Sequence, residues 1–131
     1  MTKRLIKSGH LKVLERAGIE IHSRSVFLQG LLLLSAHELP AGLEKLRDHL
    51  NRYHKNREAL GLSPVEAALA FALQCNEVNH VLCGVNNRLQ LEEIVKSSHI
   101  LPNSTRVEFF SEFSLYDDDL INPSKWALKR F

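Results

Sequence analysis

The stretch His80-Val81-Leu82-Cys83-Gly84-Val85-Asn86-Asn87-Arg88-Leu89-Gln90-Leu91-Glu92-Glu93-Ile94-Val95 decides how the chain is read. Its first four residues are a short apolar run that stops at glycine, which suits a strand buried on both faces of a parallel sheet and is too short for a helix. Beyond the turn, Leu89, Leu91, Ile94 and Val95 fall mostly on one helical face, so a helix is expected to begin near Arg88. Asn86 or Asn87 can cap it, with Gln90 and Glu93 in or beside the first turn. The unpaired backbone amides of such a turn make a site for an anion, and a nucleotide phosphate would fit. Any strand-turn-helix shares these features, and asparagine is a common turn residue whatever the function.

Upstream, Leu11, Val13 and Leu14 precede Ala17-Gly18, predicting a helix over about 9–16 ended by glycine. Residues 19–28 then alternate and become continuously apolar, predicting an extended segment that is fully buried toward Leu28. Leu28 to Leu34 is the most apolar run, far below the roughly 20 residues of a membrane span. Leu43, Leu46, Leu50 and Tyr53 recur at helical spacing, with Lys45, Arg47, Asp48, Arg52 and Lys55 on the other faces of an amphipathic helix. Leu62-Ser63-Pro64-Val65-Glu66 is a strong helix start, with Ser63 as cap, Pro64 in the first turn and Glu66 placed to complete a capping box. Val65, Ala68, Leu69, Ala72 and Leu73 form its expected inner face, and the helix is expected to end near Asn76. Helix, strand, helix, strand, helix is the alternation of an α/β protein with parallel strands.

The composition is that of one ordinary domain: 131 residues, 44% hydrophobic and 24% charged. A net charge of +2 from 17 basic and 15 acidic residues gives no reason to expect a nucleic acid or membrane partner. Cys75 and Cys83, well separated, suit free thiols in a reducing compartment, so the expected location is cytoplasmic. His49 and His54 are five residues apart and point to different helical faces, which argues against a shared metal. All seven histidines are expected to be surface or packing residues, with no metal site. Asp117 to Asp119 reads as a solvated turn.

Two of these stretches, with a helix between them, resemble aldo/keto reductases. Val81 to Val95 is similar to the segment near that family's C-terminus where a Gly-x-Ser/Asn turn and a Gln-Leu-x-Glu-Asn helix start hold the 2'-phosphate and adenosine of NADP(H). The match places Gly84 and Asn86 in the turn and Gln90 and Glu93 on the helix. Ile94 stands where the family usually has Asn, and Arg88 is the nearest cation for the extra phosphate, away from the family's usual basic position. Gly18 to Leu34 resembles the penultimate barrel strand of a bacterial branch, its Ser-Pro-Leu-x-x-Gly appearing here as Ser25-Val26-Phe27-Leu28-Gln29-Gly30. Ser25, Phe27 and Gly30 correspond to residues lining the cofactor pyrophosphate, largely through backbone. Between the two, Ser63 to Phe71 resembles the penultimate barrel helix, and Asn122 to Trp126 the family's ending, with Trp126 as an anchor in a packing groove.

The resemblance implies a single partial domain over 1–131: the C-terminal part of a (β/α)8 barrel, about two parallel strands with their helices and a C-terminal extension. A whole barrel has eight such units over about 250 residues. Aldo/keto reductases pass hydride from nicotinamide to an aldehyde or ketone whose oxygen is protonated by a Tyr tuned by Lys and Asp, with a His orienting the substrate. Those residues belong to the first half of the barrel, and neither Tyr53 nor Tyr116 has the context of the acid. The chain is therefore expected to bind the cofactor without catalysing the reaction alone. It would be the C-terminal piece of a split or shortened enzyme, a component that associates with the remaining barrel, or a small nucleotide-binding or protein-interaction module. In the last case its hydrophobic strand edge would be covered by self-association. Unpaired parallel strands also lead to an expectation of low stability, aggregation or dimerisation.

Overall fold

Ser63 is held in extended conformation by its neighbour Pro64, and its hydroxyl accepts a hydrogen bond from the Glu66 amide while the Glu66 carboxylate accepts one from the Ser63 amide. This reciprocal pairing satisfies two donors that every helix start leaves open, and it sets one end of the central helix. In the computed structural model, which describes residues 8–99, Phe113, Asp117, Leu120 and 122–126, the elements run in this order. Helix α1 covers His10–Arg16, strand β1 His22–Ser23, and 3-10 turns Leu31–Leu33 and Glu44–Leu46. Helix α2 covers Arg47–Ala59, α3 Pro64–Leu73, β2 His80–Val81 and α4 Arg88–Ser98, followed by a last 3-10 turn at Pro123–Lys125. Of the residues singled out in the sequence, Tyr116, Asp118 and Asp119 lie outside the described residues.

The expected spacing on α2 is realised: Leu43, Leu46, Leu50 and Tyr53 are all buried, the first two in the turn leading into the helix. On α3 the buried stripe is wider than expected, because Ala67 and Ala70 join Val65, Ala68 and Leu69. Ala67 and Ala68 have no exposed surface at all, and residues this small let neighbouring backbones approach α3 closely. Leu73 departs from the expected inner face and is exposed, since the helix ends there and Gln74 caps it. The main core gathers Leu32, Ala36, Leu50, Tyr53, Leu62, Ala67, Ala68 and Phe113. A second cluster joins Leu31, Leu43 and Leu46, against which Leu120 and Trp126 pack. Trp126 is fixed there by its indole N–H, which donates to the Leu120 carbonyl at 3.2 Å.

The two strands pair in parallel, His22 opposite His80 and Ser23 opposite Val81. This is an α/β arrangement with a very small sheet, and two of the sequence expectations are corrected by it. Residues 19–28 are not one extended run. The chain leaves the strand after Ser23 and turns, the Leu28 amide donating to the Ser25 carbonyl at 2.9 Å and the Leu32 amide to Phe27 at 3.3 Å. Val26, Phe27 and Leu28 thereby reach the helical core through a folded loop and not through a sheet face. The run His80 to Cys83 is likewise not buried on both sides: His80 is exposed and Leu82 keeps 51% of its surface. A two-stranded sheet has no third strand to cover its edges, so apolar composition alone does not bury it. Among the described residues no helix is long and apolar enough to cross a membrane.

Candidate functional site

Helix α4 begins where the sequence places it, and the cap is Asn87. With an extended backbone, Asn87 accepts through Oδ1 from the Gln90 amide at 2.9 Å, and its carbonyl accepts from the Leu91 amide. One residue earlier, the Asn86 amide donates to Gln90 Oε1 at 2.8 Å. The turn is thus braced from the helix, and the first-turn amides of Arg88 and Leu89 are those with no intrahelical acceptor. They sit at the positive end of the α4 dipole, equivalent to about half an elementary charge.

Across from this turn lies the loop after β1, whose backbone is unusual. Ser25, Leu28 and Gln29 all have positive φ, at 61°, 49° and 55°, and Gly30 follows at 83°. Left-handed backbone at a non-glycine residue is strained by about 1–3 kcal/mol and persists only where its surroundings fix it. Here the fixing groups are the turn hydrogen bonds above and the insertion of Phe27 and Leu28 into the core.

Between loop and turn is an open cleft of about 760 Å³, within the roughly 300–1,000 Å³ usual for small-molecule sites. Its wall contains Ser25, Phe27, Gly30, Gly84, Asn86, Gln90 and Glu93, brought together from two stretches far apart in sequence. Val65, from the first turn of α3, and Leu33 give it apolar surface. Arg88 is the one expected site residue that does not line the cleft. Its guanidinium reaches along the helix to Glu92 Oε1 at 2.6 Å and remains 88% exposed. The cation on the cleft wall is Arg24, exposed and without a carboxylate partner among the described residues. In the sequence Arg24 falls within the expected extended segment, and its one signal is a lone basic residue immediately before Ser25. Cys83 also lines the cleft, and burial pushes its thiol up, which keeps it protonated and a poor nucleophile.

Tyr53 is 2% exposed in the core, and burial pushes its phenol up to about 12, partly offset by Arg57. It cannot reach the cleft as a proton donor. Cys75 and Cys83 are both free thiols.

A second cluster lies beside the two strands, where Glu20, which precedes β1, has Oε1 3.2 Å from His22 Nε2 and 2.6 Å from His80 Nε2. The two imidazoles hold the Glu20 carboxyl below its ordinary range. Sequence spacing did not bring these histidines together, since their meeting depends on the strand register. No protein-family model matches the chain, and no curated protein matches it.

Proposed function

We propose that the chain is the NADP(H)-binding C-terminal segment of an aldo/keto reductase-like barrel, acting on aldehydes or ketones only together with barrel strands that carry the proton donor and its partners. The observation that supports this most is the cleft. Seven of the eight positions expected from the resemblance, all but Arg88, line one cleft although they come from 25–30 and 84–93. A phosphate is assigned to the turn before α4, where Gly84 and Asn86 line the cleft near the positive end of the helix dipole. The 2'-phosphate is assigned to Arg24 in place of Arg88, whose charge is already engaged by Glu92. Gln90 acts mainly by bracing Asn86, and Glu93 supplies an acceptor for amine or hydroxyl donors of the nucleoside. The cleft is open, in keeping with a half-site that other strands would close.

The test is a fluorescence titration of the purified chain with NADPH, with NADH as control and an Asn86→Ala, Gln90→Ala double variant alongside. Saturable binding that prefers NADPH and weakens at least tenfold in the variant is the expected result. A folded chain that binds neither nucleotide would overturn the proposal.

A second reading draws on a different observation. Leu82, Leu89, Leu91 and Val95 keep between 49% and 76% of their surface on and after β2, which also suits a protein-interaction module whose apolar patch another chain covers. Sedimentation separates the two: concentration-dependent association without nucleotide binding would favour this alternative.

A further inference from the structure

Glu20, His22 and His80 stand together for a reason built into the backbone. Glu20 lies two residues before His22, the first residue of β1, and the parallel register sets His80 directly opposite His22. That register is fixed by several hydrogen bonds. The Asn79 and His80 amides donate to the Ile21 carbonyl at 2.9 and 3.3 Å, and the Leu82 amide donates to Ser23 at 2.8 Å. In return, the Ile21 amide donates to Asn79 Oδ1 at 2.8 Å, clamping the residue between Glu20 and His22. The imidazoles meet with ring centroids 4.8 Å apart, and one ligand atom from each of the three residues lies within 4.8 Å of the others.

We propose that this cluster binds a divalent first-row transition ion, Zn2+ being the best suited. Two imidazole nitrogens and one carboxylate oxygen form a known zinc ligand set, with a water in the fourth position. Tetrahedral ligands about 2.0–2.1 Å from such an ion lie about 3.3 Å from one another. The Glu20–His22 separation of 3.2 Å already meets this, the Glu20–His80 separation of 2.6 Å opens by a small rotation, and the two imidazoles, whose ligand atoms lie within 4.8 Å, close toward each other by rotation of exposed side chains. All three residues are exposed, so the ion can enter and the fourth position is open to solvent. The ion would link β1 to β2 across a ladder only two residues long. This site is separate from the cleft and does not depend on the nucleotide reading.

Tag-free full-length chain is titrated with Zn2+ against a chromophoric chelator, and with Co2+ by visible absorption. One equivalent of Zn2+ is expected, with a cobalt spectrum of low coordination number. Binding falls at least tenfold in each of Glu20→Gln, His22→Ala and His80→Ala, and is unchanged in His99→Ala. The three ligand side chains are exposed, so each variant is expected to fold, which circular dichroism checks. Binding that survives in His22→Ala and His80→Ala, or no measurable binding by the folded wild-type chain, would overturn the proposal and leave the cluster as a carboxylate–imidazole contact.

Discussion

The half of the molecule built from α2 and α3 and the half built from the strands and α4 differ in what holds them. In the first, Leu50, Tyr53, Ala67 and Ala68 have at most 4% of their surface exposed, and aromatic rings pack edge to face, Tyr53 against Phe113 at 6.1 Å. In the second, the ladder is two residues long, Leu89 on α4 is 76% exposed, and the loop leading out of β1 carries left-handed residues. The candidate binding features all belong to the second half, with Val65 and Phe27 touching both. Stability thus resides in one region, which holds the other in a conformation it would not keep alone.

Truncating the same side chain in each half gives the sharpest contrast. Leu50→Ala removes buried surface and leaves a cavity, an expected loss of about 2–5 kcal/mol, large against the roughly 5–15 kcal/mol of a typical domain. Chemical denaturation measures it. An effect of less than 1 kcal/mol would mean that α2 is not anchored as described.

A smaller effect is expected from pH. His54 Nε2–H donates to the Leu34 carbonyl at 2.7 Å, and Nδ1 accepts from Arg57 Nε at 2.9 Å, an arrangement only the neutral ring satisfies. Burial, with the Arg57 charge adding to it, lowers the His54 pKa from 6.5, and burial lowers that of His49 as well. The unfolded chain therefore takes up these protons first as pH falls. The contribution is complete above 6.5 and is lost below it, through the depressed folded values. Glu38 and Glu44, held below 4.5 by backbone amides, act only at lower pH. Denaturation midpoints should fall between pH 7 and 5 in the wild type and fall less in a His49→Gln, His54→Gln variant, measured relative to each protein's value at pH 7. Equal slopes would remove these histidines from the account.

The smallest change is expected for Leu89→Ala, within about 0.5 kcal/mol, as for other surface substitutions. A loss above 1 kcal/mol would show that this face is covered, and would favour the association reading.

The parts of this arrangement legible in the sequence are the local ones. The Ser63-Pro64-Glu66 start, the Asn87 cap and the spacing of Leu43, Leu46, Leu50 and Tyr53 depend on residues within a few positions of each other. The strands depend on distant partners: an apolar run such as 80–83 states that burial is favourable and not whether a neighbour exists to provide it. The left-handed loop was hidden for another reason, because Ser25, Leu28 and Gln29 carry no propensity for such backbone. Arg24 belongs to that same loop, and the meeting of His22 with His80 depends on the strand register. Of the positions that the resemblance names, all but Arg88 line the cleft.

The central claim is that 24–30 and 84–93 form one nucleotide site. Amide hydrogen exchange of the chain with and without saturating NADPH tests it most directly. The account predicts slowed exchange in both stretches at the same nucleotide concentration, with residues around Leu50 and Tyr53 unchanged. Protection confined to one stretch, or absent from both in a folded chain, would contradict it.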